Sequence, residues 1–125
     1  MDIISCATLS KTPLVLGANL KAGQHIDLVG AYRPNMREAD NETILKSSVF
    51  VDTYGGGLKE SGDIVIPLKE GILQEEDIKA DLFQLCSNEI SGRKSEQEIT
   101  MFKSVGHALE DLIAAKYFYN KFTDV

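Results

Sequence analysis

Short apolar runs alternate along this chain with longer segments of mixed polarity, and this alternation predicts the secondary structure. The runs 2–8, 25–30, 49–53 and 98–103 have the length and composition of β-strands. Helices are predicted from an N-cap at Asp40 through Ser47, over 74–90, and over the last 20 residues. Strands and helices in this order, without hairpin signals, indicate an α/β fold with a parallel sheet of about four strands, flanking helices and a long C-terminal helix.

The stretch 54–71 has no clear period, because Gly55–Gly57 and Gly62 interrupt it. The segment Leu58–Glu60, between these glycines, is long enough for one helical turn. A phosphate-binding loop needs glycines spaced G-x-G-x-x-G between a strand and a helix, and Glu60 stands where the third glycine would be. The pattern favours a flexible turn over a phosphate site.

Composition narrows the class of protein. With 125 residues and 43% hydrophobic residues, the chain is the size of one globular domain. Its net charge of −6 argues against nucleic-acid binding, and no apolar run approaches the roughly 20 residues of a membrane span. Met1-Asp2 does not begin a signal peptide. Cys6 and Cys86 are therefore predicted to be buried free thiols in the cytoplasm, in preference to a disulfide.

Few side chains have the spacing of a catalytic or metal site. His25 and His107 stand apart from other metal-ligating residues, so structural roles are favoured and no metal is predicted. Glu75–Asp77 complements a helix N-terminus. Glu110 and Asp111 follow the Ser104 loop closely, which leaves a functional role open beside the favoured solvent face or ion pair.

The loop from Gly30 to Arg37 is the most promising local feature. It follows a strand, and ligands of open parallel sheets bind at the carboxyl ends of strands. It contains Tyr32 and Arg33, and a guanidinium matches the geometry of a carboxylate or phosphate. A solvated basic loop is the alternative, and the residues alone do not decide between the two.

Five segments of the chain match one known family in their order along the sequence. They are Ser5–Pro13, Gly23–Glu38, Val51-Asp52, Glu60–Asp63 and Ile99–Gly106 with Ala108–Asp111 following. Together these segments cover nearly the whole chain and resemble the C-terminal half of the ornithine cyclodeaminase/mu-crystallin family. The Val-Gly-Ala-x-Arg-Pro-x-x-Arg-Glu loop is most similar to the ketimine reductase branch.

The resemblance implies a partial Rossmann-like sheet. Residues 1–103 would form the second half of an NAD(P)-binding domain, and 104–125 the helix that returns to a substrate and dimerisation domain. The implied cofactor is NAD or NADP. The implied reaction is the reduction of cyclic imino acids such as 1-pyrroline-2-carboxylate or 1-piperideine-2-carboxylate to proline or pipecolate.

The resemblance also carries site residues over to this chain. Ala7, Thr8, Leu9, Val29, Gly30 and Ser104 match positions along the cofactor, and Arg33 and Tyr32 match positions near the substrate. No catalytic residue is assigned. Cyclodeaminases have an aspartate and a lysine where this chain has Tyr32 and Met36, which argues against ornithine deamination, and alanine dehydrogenase activity is the other less favoured assignment.

The family's Gly-rich phosphate loop and carboxylate-binding residues lie upstream of the segment that matches this chain. We therefore expect the chain to be inactive by itself. The alternative is a non-catalytic module of the same family that forms homo-oligomers or binds a small ligand. Association would use the edge of the strand 2–8 or the aromatic residues Tyr117, Phe118, Tyr119 and Phe122 of the last helix.

Overall fold

The computed structural model describes residues 1–123, in which five parallel strands form one sheet. The strands are β1 Ile3–Cys6, β2 His25–Leu28, β3 Ser47–Val51, β4 Ala80–Asp81 and β5 Ile99–Lys103. The sheet order is β1-β2-β5-β3-β4, so β5 lies between β2 and β3. This confirms the predicted α/β class and parallel sheet, with one strand more than expected.

The helices connect and flank these strands. They are α1 Asn41–Lys46, α2 Tyr54–Glu60, α3 Gly62–Lys69, α4 Leu82–Cys86 and α5 Ala108–Thr123, with 3-10 turns at Gly17–Asn19 and Glu75–Asp77. The predicted cap of α1 is confirmed, because the Asp40 side chain accepts a hydrogen bond from Thr43 N at 2.7 Å. The long last helix is also confirmed, and the two residues predicted to extend it lie outside the described residues.

The core lies on one face of the sheet, where alternate residues of the central strands are fully buried. Ile26, Val49 and Met101 belong to this set and pack with Ile44 of α1 and Ile64 of α3. The opposite face carries Phe50, Phe102, His25 and Thr100 and is covered in part by Leu82 and Leu85 of α4. Helices therefore flank both faces, as the parallel sheet requires.

The prediction of a single helix over 74–90 is wrong. In its place the chain forms the Glu75–Asp77 turn, β4 and α4. Ala80 pairs with Phe50 of β3, and Lys79 N donates to Val49 O at 2.8 Å. Asp81 then caps α4 by accepting from Gln84 N at 2.9 Å. The helical spacing of apolar residues across 74–90 therefore joins separate elements, since Ile78 precedes β4 and Leu82 begins α4.

The prediction of a flexible turn at Gly55–Gly57 is also wrong, because these glycines lie inside α2. Thr53 caps this helix by accepting from Gly56 N at 3.1 Å. A Cβ on Gly57 would lie 2.9 Å from a methyl of Val51, so the glycine lets α2 pack closely on β3. The absence of a side chain serves packing here, and conformational freedom is not required.

The two cysteines are free, as expected, but the prediction that both are buried is wrong for Cys86, which is exposed on α4. Cys6 is partly buried at the end of β1. Burial, followed by the charges of Glu38 and Asp63, raises the pKa of the Cys6 thiol. In the part of the chain that the structure describes, no helix has the length and apolarity needed to cross a membrane.

Candidate functional site

The loops that follow β1, β2 and β5 lie side by side at one edge of the sheet, because these parallel strands end in register. Cys6 pairs with Leu28, and Leu28 with Lys103. The ladder extends one residue further, since Val29 N donates to Cys6 O at 2.9 Å and Ser104 N to Leu28 O at 3.0 Å. The structure therefore brings the predicted cofactor residues of three separate segments to a common edge.

Thr8 and Gly30 are in direct contact at this edge. A Cβ added to Gly30 would overlap the backbone nitrogen and oxygen of Thr8 and a carboxylate oxygen of Glu38. Gly30 is thus required for close approach of the two loops. Around this contact, Leu9 is 67% exposed and Val29 is 43% exposed, so apolar side chains line the rim of the edge.

Glu38, which the sequence analysis did not assign to the site, joins these two loops. Its side chain is inaccessible to solvent. One carboxylate oxygen accepts from Thr8 N at 2.6 Å, and the other accepts from Gly30 N at 2.9 Å and Ala31 N at 3.3 Å. Backbone N–H groups thus solvate the buried carboxylate from both loops.

Asp63 and Lys103 form a buried pair beneath Glu38. Asp63 Oδ1 accepts from the backbone nitrogens of Glu38 at 2.7 Å and Ala39 at 3.0 Å. Among residues 1–123, Asp63 Oδ2 has no hydrogen-bond partner and lies 3.7 Å from Lys103 Nζ, which donates to Leu28 O at 3.1 Å. Burial raises the pKa of Asp63 and lowers the pKa of Lys103, and in each case the partner's charge opposes the effect of burial.

Asp52 holds the third loop, the one that follows β5. Its buried carboxylate accepts from Ser104 Oγ at 3.1 Å, Val105 N at 2.8 Å and Gly106 N at 3.0 Å. Gly106 adopts a φ of 90°, a conformation that favours glycine. The predicted cofactor residue Ser104 is therefore buried and directed at Asp52.

Tyr32 and Arg33 lie on the loop that follows Gly30, and both are exposed at the same edge. The Arg33 guanidinium lies 5.5 Å from the centre of the Tyr32 ring. Among the described residues Arg33 forms no ion pair, whereas Arg37 is used internally and donates to Ala39 O at 2.7 Å. Of these two arginines, Arg33 is therefore the one available to an anionic ligand.

The sequence analysis assigned no role in the site to four residues, Glu38, Asp52, Asp63 and Lys103, because none of them belongs to a recognised catalytic or metal-ligand spacing. A signal was present for two of them, since Asp52 directly follows the apolar run 49–51 and Lys103 ends the apolar strand 99–103. All four lie within the segments that carry the family resemblance. Their burial, however, depends on partners distant in sequence.

Among the remaining candidates, His25 begins β2 at the far end of that strand, whereas His107 and Glu110 follow the loop after β5. His25 Nδ1 lies 2.8 Å from Thr100 Oγ1 on the sheet, and the His107 ring packs edge-on against Phe83, both structural arrangements. Glu110 is half-buried near Asp52. Burial, with the Asp52 charge added to it, raises the pKa of Glu110.

Comparison with known proteins gives a consistent result. The model of the ornithine cyclodeaminase/mu-crystallin family matches residues 1–125. A Delta(1)-pyrroline-2-carboxylate reductase of Bacillus cereus is 45% identical over 121 residues, which are 96% of this chain and 37% of that protein. The chain thus spans little more than a third of the length of such relatives.

Two solved structures share the fold closely. The Thermococcus litoralis Delta(1)-pyrroline-2-carboxylate reductase, in complex with NADH and L-proline, superposes with a TM-score of 0.89 and 45% identity over 95% of this chain and 37% of its own. An archaeal alanine dehydrogenase dimer with bound NAD superposes with a TM-score of 0.86 and 31% identity over 95% of this chain and 37% of its own.

Proposed function

Since this chain belongs to the ornithine cyclodeaminase/mu-crystallin family, we propose that it supplies the nicotinamide-facing part of an NAD(P)H-dependent ketimine reductase. The intact enzyme would reduce a cyclic imino acid, 1-pyrroline-2-carboxylate or 1-piperideine-2-carboxylate, to proline or pipecolate. In this assignment residues 1–103 are the second half of the nucleotide-binding domain and 104–125 the helix to the substrate domain. The cytoplasm is the expected compartment.

The observation that carries this proposal is the convergence of three strand-end loops on a partly apolar edge. Leu9 and Val29 expose apolar side chains there, and Gly30, which has no side chain to hold the loops apart, lets the loops after β1 and β2 lie in direct contact. Such a surface fits one face of a flat, weakly polar ring. A nicotinamide bound at this edge would supply a hydride for the imine carbon.

The protein's own residues would orient the reactants. Ala7, Thr8, Leu9, Val29 and Gly30 would lie along the ring, with Ser104 beside it. Arg33, unpaired in the described chain and exposed, would bind the carboxylate of the imino acid, with Tyr32 next to it. Holding both reactants in register is the contribution that proximity makes to hydride transfer.

Two positions argue against cyclodeaminase chemistry. Tyr32 offers a phenol where those enzymes have a catalytic aspartate. Met36, at the position of their lysine, is buried, with 7% of its surface exposed. Neither side chain supplies the base or the ammonium group that deamination needs.

The experiment is a titration of the ¹⁵N-labelled chain with the two halves of the cofactor. Reduced nicotinamide mononucleotide should shift the amide signals of Thr8, Val29, Gly30 and Ser104, whereas AMP should leave them in place. Equal shifts with both nucleotides, or shifts confined to other regions, would contradict the proposal. The chain alone should not reduce 1-pyrroline-2-carboxylate with NADPH at an enzymatic rate, because it spans 37% of the length of its relatives.

A second candidate is self-association of a non-catalytic module. It is favoured by β1, an edge strand whose Ile3 is 62% exposed, and by exposed aromatic side chains on α5. Exposed edges and apolar patches promote pairing. Sedimentation should show a dimer or higher oligomer that Phe118→Asp weakens and Lys116→Asp does not. A stable monomer at high concentration would rule this candidate out.

A further inference from the structure

Glu38 has a stronger claim to a functional role than its burial alone suggests. We propose that Glu38 is a positioning residue that sets the spacing of the loops after β1 and β2, and that it closes this part of the edge to phosphate. The proposal rests on the proposed function, because it assigns Glu38 a purpose in terms of the nicotinamide surface.

The carboxylate divides its two oxygens between the two loops. Oε1 takes the N–H of Thr8, and Oε2 takes those of Gly30 and Ala31. These bonds lie just beyond the last rung of the β1–β2 ladder, at Val29. Because a carboxylate is rigid and planar, both loops are fixed relative to one group, and hence relative to each other.

These bonds also decide which chemistry remains for a ligand. Backbone N–H groups that converge at strand ends and turns form anion-binding concavities. Here the anion is already supplied, because the Glu38 carboxylate occupies those donors. These three N–H groups are therefore not available to a ligand, which suits a neutral ring and disfavours a phosphate group at this point of the edge.

Glu38 is itself held from the core. Its backbone nitrogen donates to Asp63 Oδ1, and Asp63 Oδ2 faces Lys103 Nζ. Lys103 directly precedes Ser104 on the third loop. The contacts thus run continuously from Thr8 through Glu38, Asp63 and Lys103 to Ser104, so the three loops share one internal support.

A purely structural role would not require this arrangement. A buried carboxylate is costly to desolvate, and well-packed apolar groups often replace buried charges without loss of stability. Within the part of the chain that the structure describes, the Glu38 carboxylate accepts hydrogen bonds from the candidate site loops and from neither the helices nor the central strands. Burying the Glu38 carboxylate therefore costs free energy at a place where the carboxylate positions the loops of the candidate site.

The test compares Glu38→Gln with two controls in the ¹⁵N-labelled chain. Glu42→Gln makes the same chemical change on an exposed residue of α1, and Ile44→Val lowers core stability away from the loops. In Glu38→Gln, one loop loses its acceptor and faces an amide N–H₂ group. Loss of charge-assisted hydrogen bonds should speed amide exchange at Thr8 or Gly30 about tenfold relative to the Ile26 and Met101 amides.

A second readout separates positioning from stability. Reduced nicotinamide mononucleotide should bind Glu38→Gln about tenfold more weakly than the wild-type chain. Ile44→Val should bind it with wild-type affinity despite its lower stability. If Glu38→Gln does not fold, Glu38→Asp serves instead, because its shorter carboxylate reaches one loop and should deprotect either Thr8 or Gly30, but not both.

The outcomes distinguish this proposal from the one it rests on. Wild-type exchange at both Thr8 and Gly30 in the Glu38 variant would overturn the positioning role. Inorganic phosphate that shifts the Thr8 and Gly30 amides of the wild-type chain would overturn the exclusion of anions. Altered exchange without any response of the wild-type chain to the mononucleotide would leave Glu38 as a loop support and refute the proposed nicotinamide surface.

Discussion

Lys103 Nζ lies 3.7 Å from Asp63 Oδ2, and neither side chain is accessible to solvent. Asp63 also accepts two backbone hydrogen bonds, so its carboxylate is partly solvated by the chain, whereas the positive charge opposite comes from a residue 40 positions later. Lys103 ends β5, the strand that lies between β2 and β3. The pair therefore connects the centre of the sheet to α3 and, through Glu38, to the site loops.

Lys103→Met should be strongly destabilising, because it leaves the Asp63 carboxylate buried without a cation. Removal of one partner of a buried pair typically costs about 3–5 kcal/mol. Urea unfolding at neutral pH measures this loss. Lys103→Met/Asp63→Asn should recover much of it, since asparagine keeps an oxygen for the two backbone N–H groups and has no charge. A double variant as unstable as the single one would contradict this account.

The same variant should show a characteristic pH dependence. Burial already raises the pKa of Asp63, and the Lys103 charge counteracts that rise. Without Lys103 the folded-state pKa of Asp63 rises further above its unfolded-state value. The free-energy penalty of burying the ionised Asp63 carboxylate is therefore fully present above the folded-state pKa, and it is lost as the pH falls through that pKa. The stability deficit of Lys103→Met should therefore shrink as the pH falls from neutral towards the unfolded-state pKa of about 4.

Gly30→Ala and Gly55→Ala should have opposite effects on stability. A Cβ on Gly30 would overlap the Thr8 backbone, and overpacking of this kind costs about 1–3 kcal/mol or more. A Cβ on Gly55 would meet no described residue within 4 Å, and alanine in place of glycine within a helix stabilises by about 0.5–1 kcal/mol. Chemical denaturation of both variants measures the difference, and equal effects would refute the close approach at Gly30.

Asp40→Ala should remove a pH-dependent contribution to the stability of α1. Partial burial would raise the pKa of Asp40, but hydrogen bonds from Thr43 and Gly17, with the Arg37 charge, outweigh it and hold that pKa below its usual range. Because the pKa of Asp40 is lower in the folded state, its ionised carboxylate stabilises the folded chain above the unfolded-state pKa of about 4. This stabilisation is lost as the pH falls through the folded-state pKa.

The expected cost of Asp40→Ala is about 1 kcal/mol at neutral pH, as for other N-cap removals. Because the wild-type chain loses the stabilisation by Asp40 in acid, the difference in free energy of unfolding between it and Asp40→Ala should narrow below about pH 4. Thermal unfolding across this range provides the measurement. Asp2→Ala is the control, since Asp2 is exposed near the N-terminus. A pH-independent difference at Asp40 would show that its charge does not contribute.

The amino-acid sequence by itself determined the α/β class, most strands, the cap at Asp40 and the last helix, because these depend on local patterns of polarity. The motifs also identified the family. Tertiary contacts decided the segment 74–90, where pairing of Ala80 with Phe50 outweighs a helical spacing of apolar residues. Contacts also decided the helix at Gly55–Gly57, a segment of low helix propensity in which Gly57 packs closely on Val51 of β3.

The candidate site shows the same division. Residues such as Thr8, Gly30, Arg33 and Ser104 could be predicted from motifs, and the structure places them at one edge of the sheet. The supports of that edge depended on folding, because Glu38, Asp52, Asp63 and Lys103 look like surface charges until partners distant in sequence bury them. The pattern of polar residues along a chain reflects local preferences for helix or strand. The burial of a charged side chain depends instead on the residues that the sheet order brings around it.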